Sequence, residues 1–485
     1  MKFGKDFRFG FSTVGVQHEM GLPGSEFVSD WVVWLHDQEN IAAGIVSGDR
    51  PEDGPAYWHL YKEDHEKAVS IGMDAAWITI EWARIFPKPT FEVEVPVEKR
   101  DGGIVSVNVD REHVERLRRL ANLDALKHYR KILEDWRSRG GMVIANLFHW
   151  SLPTWLHDPI RVRKLGPDRA PAGWVDERTV VEFAKFAAYV AWKLGDLPDM
   201  WSTMNEPNVV YTQGYVNVRS GFPPGYLSIE ASMKAAKHLI EAHARAYDVL
   251  KRLTGKPVGL IYATAEIEPL KPEDREVAEA AYTQHNFAFI DAVHSGSSPL
   301  VGGERKDLAR HVDWIGINYY SRLVVEKAKT LTGWRVVPGY GFACEPRGTS
   351  RAGRPCSDFG WEIYPEGLYS VLKRFWERYR LPMMVTENGI ADAEDRLRPR
   401  YVVQHIAQVH KAVSEGIDVR GYLHWALTDN YEWAQGFRMR FGLVYVDYGS
   451  KKRFLRPSAL VFREIARGKE IPEELSHLTE PPQVR

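Results

Sequence analysis

Short apolar runs bounded by turn residues recur along the whole chain, and this recurrence constrains the fold more than any other feature. Between the runs lie stretches in which apolar residues return at helical spacing, as in Val180–Leu194, Ala231–Leu253 and Tyr401–Gly416. The pattern therefore predicts strands that alternate with helices. The eight predicted strands are Phe7–Val14, Ala75–Ile80, Met142–Leu147, Trp201–Met204, Val258–Ala263, Trp314–Asn318, Met383–Glu387 and Val419–Trp425.

Strands that are apolar throughout, rather than alternating, are typical of a parallel sheet covered on its outside. We therefore predict an α/β fold, a single (β/α)8 TIM barrel with long loop insertions at its C-terminal face. A doubly wound open sheet is the competing architecture, but Gly15 after the first strand starts no G-x-G-x-x-G loop. Length alone, 485 residues, would favour two or three domains. Since no linker or internal repeat interrupts the pattern, we expect residues 1–485 to form one domain.

Three connections are too long for plain loops between a strand and a helix. Pro87–Arg119 contains an alternating stretch, Phe91–Val95, then a glycine turn and a second apolar stretch, Ile104–Val107. This order predicts a surface hairpin. Ser29–Pro55 and Arg322–Arg351 are the other two excursions, and long loops on a barrel usually build its mouth.

Charge and cysteine content exclude several classes of protein. The formal net charge is −1, so the chain has no basic field for nucleic acid or an anionic membrane. The first residues do not resemble a signal peptide and no apolar run is long enough to span a bilayer, so we expect a cytoplasmic protein. Two cysteines, Cys344 and Cys356, do not make a disulfide scaffold, although they are close enough in sequence to bridge one loop.

Two glutamates occur where predicted strands end. Trp201–Met204 is followed by Asn205, Glu206 and a proline that cannot continue a sheet, and Met383–Glu387 ends in a glutamate before a glycine turn. Two carboxyl groups at the mouth of one barrel suggest a general acid and a nucleophile. The alternative is that each glutamate only caps a following helix.

Further polar and aromatic side chains follow other predicted strands. Amide, imidazole, carboxylate and aromatic groups suit a polyhydroxylated ligand, whose hydroxyls need hydrogen bonds and whose C–H face packs on a ring. The histidines lack metal-ligand spacing and no G-x-S-x-G motif occurs, so we expect no metal, no cofactor and no serine hydrolase. For Trp150 and Tyr319 a core position is as plausible as a ligand contact, and His157 is read as a structural histidine. The candidates at the strand ends are Gln17, His149, Trp150, Asn205, Glu206, Tyr320, Glu387 and Trp425, with Glu432 just beyond the last strand.

Four motifs make the chain resemble the glycoside hydrolase family 1 β-glycosidases, in particular those of hyperthermophilic archaea. The resemblance runs from Phe7 to about Leu478. The motifs are Thr203-Met204-Asn205-Glu206-Pro207, Trp314-Ile315-Gly316-Ile317-Asn318-Tyr319-Tyr320, Val385-Thr386-Glu387-Asn388-Gly389 and Asp429-Asn430-Tyr431-Glu432-Trp433-Ala434.

The resemblance implies a retaining mechanism with Glu206 as acid/base and Glu387 as nucleophile, their carboxyl groups roughly 5–5.5 Å apart. It implies that Tyr320 orients the nucleophile and that Asn205 binds the sugar 2-hydroxyl. The pKa of Glu206 is expected to be raised so that it holds a proton. The implied sugar-binding residues are Gln17, His149, Trp425, Glu432, Trp433 and Phe441, with Trp361 on the aglycone side and a cis peptide after Trp425.

One position departs from the family pattern. The family usually has arginine on the second strand, and the matching position here is Trp77. That arginine pairs with the nucleophile, so its loss predicts a higher pKa for Glu387 than in relatives and an altered acid limb of the pH profile.

The leading hypothesis is an exo-β-glycosidase that hydrolyses β-D-glucosides and β-D-galactosides, with some transglycosylation. A glycosidase for mannose or fucose is an alternative, and so is a sugar-binding barrel without turnover, motivated by Trp77. Small-molecule β-glycosides are the expected partners, and the resemblance implies a homo-oligomer, usually a tetramer.

Overall fold

The computed structural model describes residues 1–480, and within them eight parallel strands form the barrel of a nine-stranded sheet. The ninth strand, Trp334–Val336, pairs antiparallel with the far end of the strand Trp314–Lys327. All eight predicted strands are present; six have ends within one residue of the prediction, and the fifth and sixth are longer at their C-terminal ends. The strands, labelled here in chain order, are β1 (Arg8–Thr13), β2 (Ala75–Thr79), β3 (Met142–Asn146), β4 (Met200–Asn205), β5 (Val258–Pro269), β6 (Trp314–Lys327), β7 (Met383–Glu387) and β8 (Val419–His424).

The sheet closes on itself, because each strand pairs with the next in the chain and β8 pairs with β1. Pairing of every strand on both sides leaves the barrel without a free edge. Its interior is filled by side chains from six of the strands: Trp77, Ile144, Ile261, Trp314, Met384 and Leu423. The predicted TIM barrel is confirmed.

Amphipathic helices alternate with the barrel strands. The three helices predicted from the sequence are present as Arg178–Leu194, Ile229–Thr254 and Arg398–Ser414. Their apolar faces join the strands in one large buried cluster. The other α-helices of the described residues are Asp30–His36, Gln38–Ala42, Tyr57–Ser70, Trp82–Ile85, Arg111–Arg118, Leu123–Ser138, Pro159–Leu165, Pro207–Tyr215, Arg275–Tyr282, Ala288–Ser295, Pro365–Tyr379 and Pro457–Gly468.

Two strands gain one extra residue shortly before they end. Ser202 and Asn205 on β4 face Gly259 and Ile261 on β5, so three steps on β4 match two on β5. On β7 one residue is likewise inserted opposite β6, at Thr386. Such bulges re-aim the side chains that follow them, and here each is followed by one of the two glutamates.

Three details differ from the sequence prediction. The hairpin in Pro87–Arg119 is formed by Val97–Arg100 and Gly103–Val107, so the prediction of a strand at Phe91–Val95 was wrong. In that stretch Val93 turns inward and is buried, while Phe91 packs on a neighbouring loop.

The helix predicted to begin beyond Pro399 begins at Arg398, so the proline lies in its first turn. Proline is tolerated there because the backbone N–H groups of the first turn make no hydrogen bond within the helix. β5 and β6 extend beyond the barrel and pair with each other as far as Val325 and Pro269. No helix within residues 1–480 has the length and apolar character to cross a membrane.

Candidate active site

The two glutamates meet where β4, β6 and β7 end. The Tyr320 hydroxyl on β6 donates to Oε2 of Glu387 at 2.6 Å, and the Asn318 amide donates to Oε1 of Glu206 at 2.8 Å. Glu206 and Glu387 are almost completely buried. They are close enough for the charge of Glu206 to raise the pKa of Glu387. The arrangement therefore brings two carboxyl groups, remote in the sequence, into one small polar space.

The backbone of Glu206 is in the left-handed region, with φ 48°, directly before the helix Pro207–Tyr215. A β-carbon makes this conformation costly, so its presence marks a strained position. Within the described residues the Glu206 side chain makes no capping bond to that helix, and the helix after Glu387 begins only at Arg398. The helix-cap interpretation of the two glutamates is therefore wrong.

Burial sets the electrostatics of the carboxyl groups. It raises the pKa of Glu206 to about 7, against the hydrogen bond from Asn318, which lowers it. Burial also raises the pKa of Glu387 well above its usual range, and the charge of Glu206 adds to this, while the Tyr320 hydroxyl opposes it. At neutral pH such a pair holds a proton that one member can donate.

A third carboxylate, Glu432, lies on the loop after β8. Its Oε2 accepts from Nε2 of Gln17 at 3.3 Å, and the same amide group donates to Asn430 at 3.1 Å. Burial, followed by the charge of Glu206, raises the pKa of Glu432 to about 8. Among residues 1–480, Oε1 of Gln17 has no hydrogen-bond partner, so an unpaired acceptor and a carboxylate face the same space.

His149, at the end of β3, connects this polar group to Asn205. Nε2 of His149 lies 3.1 Å from Nδ2 of Asn205, so it is the acceptor and the ring proton is on Nδ1. Burial lowers the pKa of His149 well below its usual value, and the ring is neutral. In the described part of the chain Nδ1 of His149 also lacks a partner, and it can donate to a hydroxyl.

Aromatic rings line the rest of the space. The His149 ring stacks near those of Trp425 and Trp433, at 6.5 and 5.9 Å between centroids. On the other side the ring of Tyr320 contacts Trp361 at 5.2 Å and Phe441 at 6.2 Å. Flat apolar rings beside paired hydrogen-bonding groups are the surface that a sugar ring requires.

All eleven residues given a catalytic or sugar-binding role from the sequence thus belong to one connected group. The peptide between Trp425 and Ala426 is cis, as the resemblance implied. Trp150 and Trp433 share the left-handed backbone of Glu206, with φ 70° and 46°. These are three of the eleven non-glycine residues with positive φ within residues 1–480.

Other residues have structural positions. Tyr319 is fully buried and its hydroxyl donates to the Tyr364 carbonyl at 2.6 Å, which makes it a core residue. Nδ1 of His157 binds Asp30 at 2.7 Å in a buried pair, as expected of a structural histidine. Cys344 and Cys356 are both reduced thiols.

Trp77 lies inside the barrel beneath the site, and its ring stacks on His149 at 5.4 Å between centroids. The strongest influences on the pKa of Glu387 include no cation. Within residues 1–480, Oε1 of Glu387 has no hydrogen-bond partner. The groups that lower the pKa of Glu387 are therefore the Tyr320 hydroxyl, which donates to Oε2, and the Asn318 amide. The described residues also contain no group of three or more side chains placed to hold a metal ion.

The sequence reasoning missed Asn318, although it quoted the motif that contains it. Its signal was a polar residue at the end of an apolar strand, the same signal that singled out Asn205. The structure places Asn318 between Asn205 and Glu206, with its amide nitrogen 3.0 Å from Oδ1 of Asn205.

Comparison with known proteins gives consistent findings. The sequence profile described as Glycosyl hydrolase family 1 matches residues 118–471. The chain is 52% identical to the β-galactosidase of Sulfolobus acidocaldarius over 489 residues, covering 100% of this chain and 99% of that protein. It superimposes on the crystal structure of the β-glycosidase from the hyperthermophile Thermosphaera aggregans with a TM-score of 0.96 and 57% identity, covering 99% of this chain and 100% of that one. A β-glucosidase mutant described as derived from a hyperthermophilic tetrameric structure gives a TM-score of 0.93 at 60% identity, with 99% and 98% coverage.

Proposed function

The chain belongs to glycosyl hydrolase family 1, and from this premise we propose that it is a retaining exo-β-glycosidase. It is an enzyme that hydrolyses glycosides. Terminal β-D-glucosides and β-D-galactosides are the proposed substrates, because relatives are named as β-galactosidase and β-glucosidase. The observation that carries the proposal is the pair of buried carboxyl groups of Glu206 and Glu387, each held by a donor from the same strand.

In the proposed first step, Glu387 attacks the anomeric carbon and Glu206 gives its proton to the leaving oxygen. This forms a covalent glycosyl-enzyme and frees the aglycone. Formation of this bond removes the negative charge of Glu387, so the pKa of Glu206 falls and its carboxylate can take a proton from water. Water attacks the same carbon and releases the sugar with its original configuration. A second sugar in place of water would give transglycosylation.

We propose that Gln17, His149, Asn205 and Glu432 bind the hydroxyls of the sugar and that Trp425 and Trp433 pack on its ring. A carboxyl group and not a cation lies near the sugar's end, so a phosphorylated substrate would find no ionic partner in Glu432, which favours unmodified glycosides. Phe441 and Trp361 are proposed as walls of the site, Trp361 towards the aglycone. We further propose one domain, a homo-oligomer and a cytoplasmic location.

The proposal is tested with a Glu387→Gly variant. We expect hydrolysis of nitrophenyl β-glucoside to fall by several orders of magnitude, and azide to restore turnover by forming an α-glycosyl azide. A Glu206→Ala variant should instead give the β-glycosyl azide, since the nucleophile is intact. If Glu387→Gly gave the β-glycosyl azide and Glu206→Ala the α-glycosyl azide, the roles of the two glutamates would be reversed.

Two further measurements separate the alternatives. A 2-deoxy-2-fluoro-glucoside is expected to label Glu387 in the intact enzyme, whereas a sugar-binding barrel without turnover would bind it and remain unlabelled. A panel of nitrophenyl glycosides compares glucoside and galactoside with mannoside and fucoside. Higher kcat/KM for mannoside or fucoside would contradict the proposed substrates.

A further inference from the structure

Asn318 lies at the centre of the site, and none of the roles proposed above involves it. It is buried at the point where β6 leaves the barrel, opposite the extra residue of β7. That extra residue is Thr386, and its hydroxyl donates to Oδ1 of Asn318 at 2.7 Å. The bulge on β7 therefore supplies both Glu387 and the hydroxyl that orients the Asn318 amide.

The amide of Asn318 is fully engaged. One N–H bond points to Oε1 of Glu206 at 2.8 Å and the other to Oδ1 of Asn205 at 3.0 Å. If the amide were flipped, its oxygen would face the oxygens of both partners and lose the bond from Thr386. The orientation of Asn318 is thus determined by three neighbours. Its N–H groups bond to the Glu206 carboxyl and the Asn205 amide, and the same amide also lowers the pKa of Glu387.

Resting on the proposed function, we propose that Asn318 is a positioning residue for the acid/base, whose amide holds the Glu206 carboxyl in place and stabilises its ionised form. When Glu206 transfers its proton to the leaving oxygen, the electron pair of the broken O–H bond remains as negative charge on the carboxylate. The fixed N–H dipole lies beside that charge and needs no rearrangement. When water later attacks, Glu206 takes up its proton and the bond to Asn318 weakens again.

The same amide aligns a second group. Because Oδ1 of Asn205 accepts from Asn318, the Asn205 nitrogen must face His149 and the sugar space. Asn318 thereby couples the position of the acid/base to that of the residue proposed to bind the 2-hydroxyl. Other charged or titratable groups that face Glu206 are Glu387 on β7, Tyr320 on β6 and Glu432 on the loop after β8.

The test compares Asn318→Ala with the intact enzyme by the pH dependence of kcat/KM, whose basic limb reports the acid of the free enzyme. Loss of a donor to a carboxylate raises its pKa, so we expect the basic limb to move up by about one to two pH units. With phenyl β-glucoside, whose leaving oxygen needs a proton, kcat/KM should fall about 10- to 100-fold. With the dinitrophenyl glucoside, whose leaving group needs none, it should change less than about threefold.

Two other variants make the test specific. Asn286→Ala removes a fully buried amide that binds only the Ala265 backbone, away from the carboxyl groups, so it should lower stability and leave the basic limb in place. Thr386→Val removes the hydroxyl that orients Asn318, and a smaller shift of the same sign is expected. If Asn318→Ala does not fold, Thr386→Val carries the test alone.

The outcomes separate this inference from the proposed function. Labelling of Glu387 by the fluoro-sugar in the intact enzyme, together with an unmoved basic limb in Asn318→Ala, would overturn the role of Asn318 alone. Equal losses with the phenyl and dinitrophenyl substrates would also overturn it, since they indicate a general structural effect. Absence of labelling in the intact enzyme would overturn the retaining mechanism and this role with it.

Discussion

Replacing Tyr320 by phenylalanine tests how the nucleophile is kept ionised. The Tyr320 hydroxyl donates to Oε2 of Glu387 at 2.6 Å inside a buried site. Burial, with the charges of Glu387 and Glu206, raises the pKa of Tyr320 well above its usual value, so the hydroxyl keeps its proton and donates throughout the assay range. The Tyr320→Phe change removes only this donor.

The expected size follows from the contact. A hydrogen bond to a charged group contributes about 1.5–3 kcal/mol. Since the other oxygen of Glu387 lacks a partner among the described residues, we expect a loss of about 2–3 kcal/mol. At 1.36 kcal/mol per unit this raises the pKa of Glu387 by about 1.5–2.2 units.

The sign follows from the role of Glu387, which must be ionised to attack. A higher pKa moves the acid limb of kcat/KM to higher pH. Below both acid limbs the variant should therefore be about 30- to 150-fold less active than the intact enzyme, while the difference narrows towards neutral pH.

The assay is the pH profile of kcat/KM with nitrophenyl β-glucoside, supported by the rate of labelling by the fluoro-sugar. Tyr319→Phe is the matched control, because the neighbouring hydroxyl donates to the Tyr364 carbonyl and not to a carboxyl group. It should cost stability without moving the acid limb. A folded Tyr320→Phe variant with an unchanged acid limb would refute the reasoning.

Three further predictions use other residues. Trp77→Arg would bring a cation to the nucleophile, so the acid limb should move down by about 1–3 pH units; an unchanged acid-limb pKa would refute the explanation that the missing arginine raises the pKa of Glu387. With phenyl β-glucoside, kcat/KM should fall above about pH 7, because the pKa of Glu206 is raised by burial to about 7 and the acid must keep its proton; in Glu206→Gln this basic limb should be absent. Asp429→Ala leaves the buried Arg456 and the half-buried Arg440 without their shared carboxylate and should cost about 3–5 kcal/mol in denaturant unfolding, whereas Asp418→Ala, at an exposed pair, should cost less than about 1 kcal/mol; equal costs would contradict this.

The barrel could be predicted from the sequence because parallel strands buried on both faces read as apolar runs. The ends of β5 and β6 could not. Beyond the barrel the apolar runs give way to mixed segments, such as Ala265-Glu266-Ile267-Glu268, and a prediction based on uniformly apolar runs stops where those runs stop. The strand predicted at Phe91–Val95 was wrong for a different reason: the alternation of this stretch reflects contacts with a loop and not pairing in a sheet.

The residues of the candidate site could be named from motifs and strand ends, whereas their connections could not. The sequence around Thr386 does not indicate an inserted residue, because the insertion is defined by the register of β7 against β6, which is far away in the chain. For the same reason the Asn318 amide could not be assigned a partner. The tie between Asn318 and Glu206 exists only once three strands are brought together.

The two bulges have a consequence for how such a site can change. Along a strand, side chains alternate between faces, so the packing requirements of the barrel interior would normally dictate which way every later residue points. One inserted position on β4 and one on β7 break that parity just ahead of Glu206 and Glu387. Because of the inserted position, Thr386 and Glu387 can both face the mouth of the barrel, although Met384 beneath them fills the interior and Val385 packs outward. In a strand with strict alternation one of these two side chains would point towards the surrounding helices.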